Sequence, residues 1–553
     1  MGKTRFAFLA SLLCAGATFG VAGAAPATPA EITRALDARV AEHPGTGIIA
    51  GFIDNGKVAI YQAGSSGTSR PLDEHTLFEI GSVTKTFTSA VLAELAMQGK
   101  VHLSDPVQKY LPGSVRVPSK NGKQITLLDL ATQHSGLPRL ATNMQGGSDD
   151  PYATYSADQL YEFLNSYALT RDPGDRFEYS NLGFGLLGFA LARDVDMPYG
   201  AMVRHYVFAP LEMNESGTSL NAQQKALFGQ GHDDTGAAVH AWDFSEPTAG
   251  AGAIRSNMVD MLKYLRAAMG SGPLANAFLF AEEPRSSFPG HHIGLAWWIN
   301  DESHYIDHGG DTAGFHSIVL MTGDRKRGVV MLSNGAQVGD LAVHFIDTSN
   351  PLAPPQKTLK LAPSALDEYT GKYANESDGI TYIIERAGDG LRAQIVGQPA
   401  AGIYASRPDH FYYKVVAAYI EFVRNNGKVV GLILTQNGQQ LAIYKLDDKG
   451  KPMATQLTPA YPPVVTLDSG TVQSYVGTYE LQGVRMQVSI KDGHVFAKLA
   501  DQDAYEIYPS ARDDFYYKIV DAQLTFMRDS NGAITSVKLT QNGTDQVFVK
   551  NKP

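Results

Sequence analysis

The end of this chain repeats itself. Asp409-His410-Phe411-Tyr412-Tyr413-Lys414-Val415-Val416 returns as Asp513-Asp514-Phe515-Tyr516-Tyr517-Lys518-Ile519-Val520. Leu434-Thr435-Gln436-Asn437-Gly438 returns as Leu539-Thr540-Gln541-Asn542-Gly543, and Tyr369-Thr370-Gly371-Lys372-Tyr373 as Tyr475-Val476-Gly477-Thr478-Tyr479. The separations, 104, 105 and 106 residues, agree closely, so one unit occurs twice, over residues 363–457 and 464–553, divided near Tyr461-Pro462-Pro463. Within each copy polar and apolar residues alternate in short runs, the pattern of strands with one buried face. A unit of this size made only of short strands fits a small antiparallel barrel of the lipocalin kind. The tracts Phe411-Tyr412-Tyr413 and Phe515-Tyr516-Tyr517 then read as alternating barrel and surface positions rather than a binding surface for sugar or peptide.

What precedes the repeat is a separate domain. Ser349-Asn350-Pro351-Leu352-Ala353-Pro354-Pro355 reads as a stiff linker, which leaves residues 30–350 upstream. A length of 553 residues agrees with about three domains. At the start, Lys3 and Arg5 precede an apolar stretch from Phe6 to Val21 and then Ala22-Gly23-Ala24, the layout of a cleaved secretory signal over residues 1–24. Ser11, Gly16 and Gly20 interrupt that stretch, which argues against a permanent span. The single cysteine, Cys14, lies inside this segment behind Leu12-Leu13, a poor context for lipidation. The mature chain is therefore expected to be periplasmic or secreted, without disulfides, thiolate metal sites or a stable membrane anchor. Net charge is −10, and −12 once Lys3 and Arg5 are removed, with no basic cluster, so nucleic acid is not an expected partner.

Three short motifs carry the chemistry. The first is Gly81-Ser82-Val83-Thr84-Lys85, where Val83, Phe87, Val91, Leu92 and Leu95 recur at helical spacing and Gly99 marks the end. Ser82 falls in the first turn, where backbone N–H groups and the helix dipole favour developing negative charge. Lys85 lies on the same face, within reach of the Ser82 hydroxyl, and acts as a base only where burial or a nearby cation lowers its pKa. Alone, the pair is better read as a capping serine and a solvated lysine, and the later motifs reverse that preference.

The second motif, Tyr179-Ser180-Asn181, follows the turn-forming Asp172-Pro173-Gly174-Asp175 and precedes the apolar run Leu182 to Ala192, a loop tip entering a helix. Tyr179 offers a phenol that can share a proton with Ser82 and Lys85. Asn181 offers a donor and an acceptor for a substrate amide. The bland alternative is a part-buried tyrosine beside a capping asparagine.

The third, His308-Gly309-Gly310, lies between Trp297-Trp298-Ile299 and the strand-like run His316 to Met321. Its glycines let a substrate backbone lie along a strand edge, and His308, with a charge that titrates near neutral pH, is read as a donor to a substrate carboxylate or to the nucleophile network. A hairpin glycine pair with a surface histidine is the alternative.

In this order, and with the phrases Phe78-Glu79-Ile80-Gly81-Ser82, His134-Ser135-Gly136-Leu137-Pro138, Phe177-Glu178-Tyr179-Ser180-Asn181-Leu182-Gly183 and His308-Gly309-Gly310-Asp311-Thr312, residues 30–350 resemble the serine β-lactamase and penicillin-recognising superfamily. The likeness lies with the branch of class C β-lactamases, DD-carboxypeptidases and D-aminopeptidases. It implies an α/β (α+β) sandwich, a mostly antiparallel sheet with helices on both sides, followed here by two all-β barrels. It implies Ser82 as the acylated nucleophile, Lys85 as its proton partner and Tyr179 as general base or acid. Asn181, His308, Gly309, Gly310 and Asp311 become substrate-binding positions, with the backbone N–H groups of Ser82 and Asp311 as oxyanion hole.

The third motif departs from the Lys-Thr-Gly usual in β-lactamases, which favours a peptidase. The resemblance therefore implies an acyl-enzyme hydrolase for a small peptide, amide or ester, with D-residue specificity and no cofactor. Two readings stay open beside it: a β-lactamase or carboxylesterase using the same residues, and a receptor that is acylated or binds peptidoglycan without turnover. Two further patterns carry little. Gly183-Phe184-Gly185-Leu186-Leu187-Gly188 matches a dinucleotide fingerprint but follows no strand. His304 and His308, with His291-His292 nearby, have metal-like spacing in a strand-and-turn context without a catalytic glutamate, so no metal is expected.

Overall fold

The computed structural model describes residues 25–551 apart from short segments, of which the longest are 145–149, 353–357, 376–379, 414–417, 458–463, 500–503 and 518–521. The signal with Cys14, most of the linker, Asn437-Gly438 and Asn542-Gly543, the residues Lys414 to Val416 and Lys518 to Val520 that follow the aromatic tracts, and Tyr461-Pro462-Pro463 lie outside the described residues.

An eight-stranded antiparallel sheet organises the first domain. Its order is Lys57–Gly64, Gly47–Asp54, Arg327–Ser333, His316–Met321, Ile306–Asp311, Trp298–Asn300, His291–Ile293 and Ser286–Phe288. The first hairpin joins the late strands through Ile48↔Ser333 to Asp54↔Arg327, so the two ends of the domain close on each other.

His316–Met321 is buried at every position, because helices cover both faces of the sheet. Alternate residues go to opposite sides. Ile318, Leu320, Val329 and Met331 pack with Leu36 and Phe345 of the helices Pro29–Glu42 and Gly339–Ile346. Val319, Met321, Val330 and Leu332 join the larger core with Phe87, Val91, Met261 and Leu265 of the helices Thr84–Met97 and Met258–Ala268. Thr84–Met97 is buried nearly all round, and each of Phe87, Val91 and Leu92 contributes about 1.5–3 kcal/mol by leaving water. The sandwich expected from the sequence is the one observed.

Each repeat closes into an eight-stranded antiparallel barrel. The first closes through Tyr373↔Lys445 and the second through Tyr479↔Lys550. Their interiors are filled by side chains, Ile384, Phe411, Phe422 and Ile443 in one and Val488, Phe515, Phe526 and Phe548 in the other. The repeated Asp of each aromatic tract has a structural task. Asp409 sits at φ 63° and accepts from Tyr369 Oη at 2.9 Å and Arg424 Nε at 2.8 Å; Asp513 sits at φ 73° and accepts from Tyr475 Oη at 2.9 Å and Arg528 Nε at 3.0 Å. Phe411 and Phe515 face the barrel interiors, while Tyr412 Oη meets Thr358 at 2.8 Å, just beyond the linker. Among the described residues no helix is long and apolar enough to cross a membrane.

Candidate active site

Ser82 lies in a short 3₁₀ turn, Gly81–Val83, that runs into the helix Thr84–Met97. No side chain caps this start, so the Ser82 hydroxyl is not spent on the helix. Lys85 Nζ lies 2.8 Å from Ser82 Oγ and donates to the Ala251 carbonyl, also at 2.8 Å. The amine is wholly buried. Burial, aided by the Arg139 guanidinium, holds Lys85 well below the ordinary lysine range. A neutral amine that gives an N–H to a carbonyl keeps its lone pair for the serine proton.

The Ala251 carbonyl reaches Lys85 because two glycines remove bulk between segments. In the helix Asn181–Asp194, a Cβ at Gly185 would stand 2.5 Å from Pro247 O, and one at Gly188 2.8 Å from Gly250 Cα. The apparent dinucleotide fingerprint is therefore a packing surface inside a helix. It brings residues 247–251 against the nucleophile helix, where Gly250 O also accepts from Thr88 Oγ1 at 2.9 Å.

Tyr179 is held by the 133–139 loop. Gln133 O accepts from Glu178 N at 2.8 Å, Gln133 Oε1 from Ser180 N at 2.7 Å, and Pro138 O from Ser180 Oγ at 2.6 Å. Ser180, not Asn181, caps the following helix, accepting from Gly183 N. The Tyr179 ring lies 5.0 Å from Lys85 Nζ and 5.2 Å from Arg139 Cζ. Burial pushes its phenol above the usual range, against the pull of a hydrogen bond with Ser82 and of Arg139. At neutral pH it is a protonated phenol, suited to donating. Asn181 Nδ2 donates to Tyr152 Oη at 2.9 Å, while its buried Oδ1 has no hydrogen-bond partner among the described residues.

The third motif lies on the strand Ile306–Asp311, packed directly on the Ser82 turn. Gly81 has φ +46°, and a Cβ there would lie 2.7 Å from Asp311 N. A Cβ at Gly310 would lie 2.1 Å from Ile80 O and 2.9 Å from Ser82 N. Only glycine at both positions lets the N–H groups of Ser82 and Asp311 approach each other, and Ser317 Oγ donating to Ile80 O at 2.8 Å fixes the approach. The strand pairs with Trp298–Asn300 only at Ile306 and Asp307. Beyond Asp307 that edge is open to an extended substrate. Gly310 therefore serves the serine turn more than the substrate edge, whereas Gly309 meets only Ser317 O at 3.8 Å.

His308 corrects the sequence reading. Burial and the nearby Lys85 lower its pKa to about 3, with the Gly309 carbonyl and Asp311 opposing. It is thus neutral at pH 7 rather than titrating there. Its Nδ1 is 2.6 Å from Gly309 O and takes the proton, leaving Nε2 as an acceptor. Asp311 turns an exposed carboxylate to the rim, held by His316 Nδ1 at 2.6 Å and Gln337 Nε2 at 3.3 Å. The protein packed around the rim works against its ionisation, but these partners and Arg139 keep its pKa below the usual carboxylate range.

Several residues here were not singled out in the sequence. Arg139, Tyr152 and Ala251 come from distant segments, with no local pattern to mark them. Trp298 stands with its ring 6.3 Å from that of Tyr179 and 5.6 Å from that of His308, beside the stacked pair Phe177 and Phe288. Its two-tryptophan context was the one available signal. Among the described residues no group of three or more His, Cys, Asp or Glu is placed to hold a metal ion.

The chain is similar to several known proteins. The chain is 34% identical over 223 residues to the D-alanyl-D-alanine-carboxypeptidase/endopeptidase AmpH of Escherichia coli K12, covering 38% of this chain and 57% of that protein. It is 29% identical over 232 residues to a beta-lactamase of Providencia stuartii, covering 41% of this chain and 57% of that one. The chain thus spans a little over half the length of these relatives. A class C beta lactamase from Rhodobacter sphaeroides shares the fold at TM-score 0.50 and 23% identity, over 58% of this chain and 97% of that one. A domain of unknown function, DUF3471, matches residues 355–453 and 461–550, one match for each barrel. The Beta-lactamase family model matches residues 32–346, which hold Ser82, Lys85, Tyr179 and His308 in one cleft, and the chain belongs to that family.

Proposed function

We propose that this protein is an exported serine hydrolase, periplasmic or secreted, that cleaves amide or peptide bonds through an acyl-enzyme on Ser82, with substrates bearing D-residues. One observation carries the reading: a buried lysine, deprived of its usual charge, lies 2.8 Å from a serine hydroxyl at the start of a helix. Ser82 Oγ attacks the substrate carbonyl and passes its proton to Lys85 Nζ. The oxygen that becomes negative faces the N–H groups of Ser82 and Asp311. Tyr179, protonated, gives a proton to the leaving nitrogen as the C–N bond breaks, and recovers one from Lys85. Water then attacks the ester along the same proton path and frees Ser82. Asn181, steadied by Tyr152, receives the substrate amide, and the open edge beyond Asp307 receives its backbone.

The D-residue preference rests on the likeness to the carboxypeptidase relative and on a neutral third-motif histidine in place of a lysine. The beta-lactamase relative favours a second reading, a lactamase on the same residues. A panel of L- and D-aminoacyl amides, D-Ala-D-Ala peptides, a cephalosporin and a short ester separates the two. Turnover of D-residue amides by wild type and none by Ser82→Ala supports the peptidase. Steady cephalosporin turnover with none of the amides overturns it.

A further inference from the structure

A hydrolase acting at a chain end has to hold the terminal carboxylate, and the third motif is poorly equipped for it. His308 is buried and neutral, and its one N–H is directed at Gly309 O. Lys85 is fully buried and engaged with Ser82 and Ala251. Asp311 presents the wrong charge. Among the described residues the cleft nevertheless contains one exposed permanent cation. Arg139 follows the His134–Pro138 loop that grips the Tyr179 turn, and its own carbonyl accepts from Leu182 N at 3.1 Å, which fixes its backbone beside the second motif. Its guanidinium carbon lies 5.2 Å from the centre of the Tyr179 ring. Among the described residues that guanidinium makes no hydrogen bond or ion pair.

We propose that Arg139 is the carboxylate-binding residue of this site, taking the free terminal carboxylate of the leaving residue. The inference rests on the hydrolase reading above and extends it to substrate class. Tyr179 is the acid for the leaving nitrogen, so the space next to its ring is where the leaving residue lies. In a C-terminal residue the carboxylate is two bonds from that nitrogen. A guanidinium presents a planar fork matched to a carboxylate, with a charge that does not titrate in the working range. The cation that a lysine in the third motif would supply comes instead from the opposite wall of the cleft. The substrates so selected are peptides or depsipeptides ending in a free carboxylate.

The test compares the full-length wild type with Arg139→Ala and Arg139→Lys on two matched pairs. One pair is N-acetyl-D-Ala-D-Ala and its C-terminal carboxamide; the other is N-acetyl-D-Ala-D-lactate and the corresponding lactamide. The quantity read is the ratio of kcat/KM within each pair, so any common effect of Arg139 on the Lys85 amine cancels. Wild type is expected to favour the free carboxylate by roughly 10- to 100-fold, the worth of a charge-assisted hydrogen bond. Arg139→Ala should bring the ratio near one, and Arg139→Lys should retain part of it. A wild-type ratio near one, or a preference undiminished in Arg139→Ala, overturns the proposal. Cleavage of the depsipeptides alone overturns the amide-hydrolase reading, while their ratio still decides the role of Arg139. If neither pair turns over, both readings fall.

Discussion

Gly310→Ala is the substitution that most directly strains the geometry proposed for catalysis. The added carbon would lie 2.1 Å from Ile80 O, 2.7 Å from Ser317 Oγ and 2.9 Å from Ser82 N. Two of these neighbours are backbone and cannot swing aside, so the strand must retreat by roughly 1 Å to reach ordinary contact. That retreat separates the N–H groups of Asp311 and Ser82. Loss of one oxyanion donor costs about 100- to 1000-fold in kcat, or about 2.7–4 kcal/mol, and a 1 Å misplacement about 100-fold. Overpacking of a dense interior adds about 1–3 kcal/mol of lost stability. Gly309→Ala is the matched comparison, since its Cβ meets only Ser317 O at 3.8 Å. Steady-state kinetics on the preferred substrate, with thermal unfolding of each variant, should show Gly310→Ala at least tenfold more impaired than Gly309→Ala. Equal activities in the two variants, or a Gly310→Ala protein within threefold of wild type, would show that the approach of the strand to the Ser82 turn does not set the rate.

Four other outcomes follow from the same structure. Lys85→Arg keeps a cation but removes the group that can give up its proton near neutral pH, so kcat/KM should fall by about 100- to 10,000-fold. In wild type, activity should decline as pH falls through the depressed Lys85 pKa, because the protonated amine cannot accept the serine proton; a Lys85→Arg variant with most of its activity contradicts this. Burial raises Asp307 from 3.8 to about 7. Its raised folded pKa makes stability fall between pH 4 and 7, so Asp307→Asn should gain roughly 1–2 kcal/mol at pH 8 and little at pH 4 in urea unfolding; a loss, or an equal gain at both, counts against it. Asp409→Asn tolerates the positive φ but weakens the bonds from Arg424 and Tyr369, and should cost the first barrel about 1–2 kcal/mol in thermal unfolding; an unchanged transition would remove that role.

Much of this architecture is legible in the residues because the signals are local. The apolar spacing after Ser82 marks a helix, the offset of the aromatic tracts marks a duplicated unit, and Asp172-Pro173-Gly174-Asp175 marks the turn before Tyr179. What escaped depends on contacts across the fold. The charge of His308 is one example. Asp307 and Asp311 are near in sequence and would be expected to favour a protonated ring, yet strand alternation pairs His308 with Val319 and Asp307 with Leu320, on opposite faces of the sheet. His308 is left among buried groups, facing Lys85. The glycines at 185 and 188 are another. Their spacing imitates a nucleotide motif, and only the partner segment, Pro247 to Ala251, reveals that they serve close packing. Arg139 has no pattern at all, since an isolated arginine after a loop is ordinary until the Tyr179 ring is found beside it.

Everything proposed for this site depends on a covalent ester forming on Ser82. Intact-mass spectrometry after rapid quenching with a slowly released acylating substrate, followed by peptide mapping, measures it directly. One acyl group per chain is expected on the peptide containing Ser82, lost in Ser82→Ala together with activity. An adduct on another residue, or hydrolysis persisting in Ser82→Ala, would contradict it.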